Sequence, residues 1–251
     1  MKIYRSLGFC LLLSFLAFAC FNPEKYQLQP DKIPSIIRLD DPTAESMPAD
    51  GSSLIEIQAV IDANTADNRS SVVFKTTAGS FVNGKGDSVV VTAQIADYGN
   101  NSQGKIATAL LKSSLHVGEA TVSVKYGSIA AVQTKPVKFV KAYPSRIRID
   151  SSAFFVKAAF ASVVNLSAQV GREKGMPSVN NIVRFSATDS LNRAIGVFRS
   201  LDSTTNAEGR ASVLFGVRDS TYLGNVKLVA LSVDEKGATL AKDSVYVQVF
   251  K

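Results

Sequence analysis

The chain repeats itself, and that constrains its fold more than any other feature. Pro34-Ser35-Ile36-Ile37-Arg38-Leu39-Asp40 returns as Pro144-Ser145-Arg146-Ile147-Arg148-Ile149-Asp150, with five of seven positions identical. The alternating run Ile55 to Ala59 returns as Val164 to Ala168, Val73-Phe74-Lys75 as Arg184-Phe185-Ser186, and Asn101-Ser102-Gln103-Gly104 as Asn206-Ala207-Glu208-Gly209. The anchors keep their order at an offset of about 110 residues, as a duplicated unit with loop insertions would. A chain of 251 residues has room for two domains of ordinary size.

Each unit reads as all-β. Ile55, Ile57, Ala59 and Ile61 alternate with Glu56, Gln58 and Val60. Ala120, Val122, Val124 and Tyr126 alternate with Thr121, Ser123 and Lys125, and Ala211, Val213, Phe215 and Val217 do the same in the second copy. A period of two with one apolar face marks a half-buried strand. Asn83-Gly84, Gly99-Asn100-Asn101 and Asp234-Glu235-Lys236-Gly237 punctuate the runs as turns, and Asn101–Gly104 and Asn206–Gly209 read as tight turns before strands. About seven short strands in a unit of roughly 110 residues predict an immunoglobulin-type β-sandwich. With no Trp and two Cys in the chain, its core must rest on aliphatic and Phe packing.

Lys2 and Arg5 precede an apolar stretch from Leu7 to Ala19. At about 13 residues it is too short to cross a bilayer and has the layout of a secretory signal. Its end, Leu16-Ala17-Phe18-Ala19-Cys20, resembles the lipobox of bacterial lipoproteins, with Ala17 where Leu is usual and a bulky Phe18. The resemblance implies cleavage before Cys20 and acylation of Cys20, which would account for the only thiol left in the mature chain and anchor it to a membrane. The alternative is an ordinary cleavage site with Cys20 a bystander. Phe21 stands where an Asp would direct inner-membrane retention, so outer-membrane residence is expected. Residues 1–19 are then a signal peptide, 20–33 a Pro-containing tether reaching ~40 Å, 34–142 the first domain and 143–251 the second. Only Lys141-Ala142-Tyr143 separates the two, which predicts sandwiches standing end to end.

Ala49-Asp50-Gly51-Ser52-Ser53, Val73 to Ser80, Gly104 to Leu110 and Gly118 to Val124 resemble a bacterial Ig-like domain of the invasin/intimin type. Val183 to Ala187 and Thr205 to Val213 carry the resemblance into the second copy, which lacks a clear Ala-Asp-Gly before its Val164 strand. The resemblance implies the fold and an extracytoplasmic setting. Such domains serve as adhesin stalks, as receptor-binding tips and as decorations on enzymes.

Little in the chain points to catalysis or a cofactor. His116, the single imidazole, reads as an exposed turn rather than a triad member. Asp40-Asp41 lack a cleft. Asp62 to Asn68 has the flavour of a calcium loop, but Asp67 and Val73 stand where an EF-hand needs Gly and Glu, so Asx turns are expected and no metal. Lys85-Gly86-Asp87 reads as a turn. The net charge, +7 for the whole chain, comes from scattered basic residues without the aromatic-laced face of a nucleic-acid binder.

The expectation is a non-enzymatic, lipid-anchored surface binding or adhesion module for a protein or polysaccharide at the cell envelope. The alternative is an accessory subunit of an outer-membrane transport or secretion complex. Apolar loop tips at the distal end would favour the first, an apolar outer sheet face the second. Two distal loops are candidates for partner binding: one with Arg172 and Met176, the other with Phe198, Arg199 and Leu201. The competing reading makes Phe198 and Leu201 core residues of an extra strand.

Overall fold

The structure, a computed structural model, describes residues 37–64, 71–98, 102–127, 134–159, 162–217 and 219–251. The expectations at Cys20 and in the tether therefore lie outside the described residues, and so does most of the calcium-like loop beyond Asn64. There the Asn64 amide donates to Asp62 Oδ1 at 2.8 Å, an Asx turn.

The described residues are all-β and form two immunoglobulin-like sandwiches. In the first, one sheet runs β1 (Ile37–Leu39), β3 (Leu54–Asp62), β8 (Ser102–Lys112), β5 (Ser80–Phe81), with β7 (Gln94–Tyr98) also on β8. The other runs β2 (Ser46–Pro48), β10 (Thr134–Val140), β9 (Gly118–Tyr126), β4 (Ser71–Thr76), β6 (Ser88–Thr92). In the second, β11 (Arg146–Ser151), β13 (Val163–Gly171), β16 (Arg210–Gly216) and β15 (Val197–Asp202) face β12 (Phe155–Lys157), β18 (Thr239–Phe250), β17 (Gly224–Val233) and β14 (Ile182–Thr188). Among the described residues the second sandwich has eight strands because its first strand splits, and the first has ten because its first strand splits in the same way and it adds β5 and β6. In each unit the split strand pairs antiparallel in one sheet, then crosses to lie parallel to the last strand of the other, β2 on β10 and β12 on β18.

The repeat is a repeat of burial. Ile55, Ile57, Ala59 and Ile61 on β3 point into one core, and Val164, Leu166, Ala168 and Val170 on β13 into the other. Phe74 is fully buried against Phe81, whereas Phe185 is half-buried and shares its place with Phe198 and Phe215.

Two turn expectations separate here. Asn206–Gly209 is a tight turn. The Gly209 amide donates to the Asn206 carbonyl at 3.0 Å, the Asn206 side chain accepts from the Glu208 and Arg210 amides, and Gly209 has φ +74°. Its counterpart Gly104 is a buried strand residue of β8, opposite Asp62 and Ala96. In the first copy β7 and β8 pair antiparallel up to Tyr98 and Ser102, so Ser102-Gln103-Gly104 lies inside a strand, and Asn101 is outside the described residues. Lys85-Gly86-Asp87 is a turn, with Gly86 at φ +67° and Asp87 paired to Lys75 at 3.8 Å.

Candidate functional site

Asp50 follows β2, at the end of the first sandwich that faces the second. Its carboxylate is buried yet richly served. Oδ1 accepts from the Ser52 and Ser53 amides at 2.9 and 2.7 Å and from Ser113 Oγ at 3.0 Å, and Oδ2 accepts from Ser53 Oγ at 2.8 Å. Burial alone would raise its pKa. The hydrogen bonds from Ser53, Ser52 and Ser113 outweigh burial and hold it at about 2. The remaining side is met by the second sandwich: Arg172 Nη1, buried and without a hydrogen bond, lies 3.6 Å from Oδ2.

The loop carrying Arg172 closes on this carboxylate. The Met176 amide donates to the Asp50 carbonyl at 2.9 Å and the Val179 amide to the Leu115 carbonyl at 3.0 Å. Ser178 Oγ donates to the Ala49 carbonyl and accepts from the Ala142 amide, both at 2.8 Å, and the Lys141 ammonium donates to the carbonyls of Val179 and Asn180. Gly175 makes the approach feasible. Its φ is +68°, and a Cβ there would come within 2.5 Å of Ser52 Oγ. A groove of about 370 Å³ opens beside the joint, lined by Arg146, Ile147, Arg148, Val170, Arg172 and Met176. Two of its arginines are already engaged, Arg148 with Asp150 at 3.3 Å and Arg172 with Asp50.

Arg172 and Met176 are thus not at a distal tip. Strands of a sandwich reverse at each loop, so the loop between β13 and β14 returns to the end where the second sandwich began. Phe198 is no loop residue either. It lies on β15, half-buried, with its ring centroid 5.3 Å from that of Phe215 and 6.4 Å from that of Phe185. This is the competing reading of an extra strand, correct for Phe198. Arg199 is exposed on the same strand, and Leu201 falls at a break in the β15–β16 register. His116 is exposed in the β8–β9 loop, its amide donating to Ser114 Oγ. Among the described residues no three His, Cys, Asp or Glu side chains converge as a metal site.

The residues that stand out were not among the candidates. All four large aromatic side chains exposed among the described residues, Phe154, Phe155, Tyr246 and Phe250, belong to the second sandwich. Phe155, Tyr246 and Phe250 share the outer face of the β12–β18–β17–β14 sheet, in its half away from the joint. On β18 the inward set is Val245, Val247 and Val249, and the outward set is Tyr246, Gln248 and Phe250. Tyr246-Val247-Gln248-Val249-Phe250 is apolar at four of five places, more than a half-buried strand requires, and that surplus was the signal in the sequence. The loop tips at the same end add Leu191 and Leu223.

No family model and no curated protein matches the chain. Among solved structures it is similar to the adhesin InvE of Yersinia pseudotuberculosis, at TM-score 0.53 and 15% identity over 90% of this chain and 61% of that one. InvD of the same organism aligns at TM-score 0.44 and 15% identity, over 88% and 58%. A β-glycosidase from Bacteroides vulgatus aligns at TM-score 0.33 and 14% identity, over 85% of this chain and 24% of that one. The chain therefore spans about three fifths of the two Yersinia proteins. The InvE likeness bears on fold alone.

Proposed function

We propose that the protein is a non-enzymatic binding or adhesion module of the bacterial cell envelope, acylated at Cys20 and held on the tether of residues 20–33, with domains at 34–142 and 143–251. The observation that carries this reading is the set of exposed apolar side chains at the far loop tips, Phe154, Leu191 and Leu223, with the rings of Phe155, Tyr246 and Phe250 on the sheet beside them. They gather on the second sandwich, in the half away from the joint, which is where a chain anchored at its N-terminus would meet a partner. The joint supports it. A buried carboxylate, an arginine and several hydrogen bonds to backbone groups tie the two sandwiches, so the outer one is presented rather than left to swing. The InvE likeness agrees with an adhesin build.

Labelled palmitate should enter the wild-type chain and not Cys20→Ser; equal labelling removes the anchor from this account. Residues 143–251 expressed alone should unfold cooperatively with a β-type circular dichroism spectrum, and a helical spectrum would refute the domain boundary. The aromatic outer face also favours a second reading, an accessory subunit of an outer-membrane transport or secretion complex. Pull-down from solubilised envelopes separates the two, because a stoichiometric membrane-protein partner selects the subunit.

A further inference from the structure

The outer face of the second sandwich has a grid whose chemistry is more specific than an apolar patch. Along β18, Tyr246, Gln248 and Phe250 point outward at steps of about 6.8 Å. Beside Gln248 stand Phe155 on β12 and Asn225 on β17, beside Tyr246 stands Lys227, and beside Phe250 stands Lys157. The rings are 62% (Phe155), 59% (Tyr246) and 45% (Phe250) exposed, so each rises at a successive step of one sheet face. Among the described residues the side chains of Gln248, Asn225, Lys157 and Lys227 have no hydrogen-bond or ion-pair partner. Nearer the joint the face continues through Lys242 and Arg184, opposite and flanking Leu231. No carboxylate points outward from these four strands.

The same face of the first sandwich shows that the fold does not require this. Val140, Lys138 and Pro136 stand on β10 where Phe250, Gln248 and Tyr246 stand on β18. Ser46 on β2 takes the place of Phe155, and Glu119 that of Asn225. Among the described residues the equivalent face carries no exposed aromatic ring, and it sets Glu119 beside Lys138. The aromatic and cationic character of the second face is therefore an addition to a scaffold that forms without it.

We infer that this face binds an acidic polysaccharide, with Phe155, Tyr246 and Phe250 stacking on sugar rings and Lys157 and Lys227 pairing with carboxylate or sulfate groups. The inference rests on the binding-module reading above and names its partner. An aromatic π-face is electron-rich and attracts the C–H bonds that line one side of a pyranose. Gln248 and Asn225 offer free donors and acceptors to hydroxyls between the rings, and the net positive, acid-free surface selects a negatively charged chain. A protein-docking surface fits less well, because the cores of such interfaces are depleted of charge, whereas two lysines are interleaved with these rings. A bilayer fits less well again. Immersing the rings of this sheet face would also immerse Gln248 and Asn225 with no partner for them.

The test is calorimetric titration of the full chain in detergent micelles with hexagalacturonate, a heparin hexasaccharide and neutral maltohexaose. At least one acidic glycan should bind saturably and at least tenfold more tightly than maltohexaose. The pair Phe155→Ala with Tyr246→Ala should weaken it at least tenfold with an unchanged unfolding midpoint. Lys157→Gln with Lys227→Gln should weaken it and flatten its salt dependence. Absence of saturable binding to either acidic glycan, or unchanged affinity in the aromatic pair, overturns the inference. So does binding confined to phosphatidylglycerol vesicles, measured on Cys20→Ser so that no acyl anchor contributes. If both glycans fail while the aromatic pair still abolishes attachment to whole cells, the adhesion reading stands with a protein partner and only the glycan inference falls.

Discussion

The two sandwiches share the order of their equivalent strands, the crossing pattern and the buried positions, although the first adds β5 and β6, and they differ on their surfaces. On the sheet that contains β10 the outward residues include Ser46, Pro136, Val140 and Glu119 opposite Lys138, without an exposed ring among the described residues. On the sheet that contains β18 they include Phe155, Tyr246 and Phe250 among lysines. The ends differ as well. Just before β3 the first sandwich carries Ala49-Asp50-Gly51-Ser52-Ser53, a socket for Arg172. At the corresponding place the second carries Ala158-Ala159-Phe160-Ala161-Ser162, with no acid. Duplication preserved what the core demands and left faces and ends free to diverge, because an outward side chain changes stability little while an inward one changes packing at once.

The core comparison admits the sharpest break. Phe74 and Phe185 hold equivalent places, but Phe74 is fully buried and Phe185 half-buried. Phe74→Ala should destabilise its sandwich by roughly 3–5 kcal/mol and Phe185→Ala by about half as much, read by denaturant unfolding. Equal losses would mean that the Phe198 and Phe215 rings make up the difference in burial.

The joint comes next. Gly175→Ala would force a Cβ into Ser52 and Asp50 at φ +68°, at a cost of about 2–3 kcal/mol. Unfolding of the two sandwiches should then separate into two transitions where the parent shows coupling; a single unshifted transition would show that the loop does not tie them.

Asp50 makes the joint sensitive to acid. Its pKa of about 2 in the folded chain lies below the ordinary 3.8, so the folded state is favoured fully above pH ~4. That advantage, about 2 kcal/mol, fades as pH falls through 2. Asp50→Asn should be less stable at pH 7 and should show a smaller acid-induced loss. A parallel acid profile for both proteins would place the sensitivity elsewhere.

The smallest effect is expected on the outer faces. Exchanging the equivalent residues, Phe250→Val in one sandwich and Val140→Phe in the other, should move either stability by no more than about 0.5 kcal/mol. A large loss from Phe250→Val would make that ring a structural element of the second sandwich rather than part of a binding face.

Much of the fold was legible in the residues. The alternation of Ile55 to Ile61 and its echo from Val164 to Val170 specify which side of each strand is buried, because side chains on a strand point to alternate faces. Other features were not legible locally. Gly104 and Gly209 sit in the same spelling, and only the pairing of β7 with β8 puts the first inside a strand. Phe198 looks loop-like beside Arg199 and Ser200, but its ring is held by Phe215 on the neighbouring strand. Of the site, Arg172 and Met176 were noticed for their composition and misplaced in space. The aromatic face has no local signature, because Phe155 and Tyr246 lie far apart in the chain and share a face only where β12 lies along β18.

By itself the sequence determined the duplication, the all-β character and the inward face of the strands, all of which follow from residue type and spacing over a few positions. Tertiary structure alone decided which loops return to the joint, which carboxylate meets Arg172, and which outward rings share one surface. Those depend on strand order and direction, and strand order is set by the combined packing of two sheets across a core, a sum over distant residues that no local pattern carries.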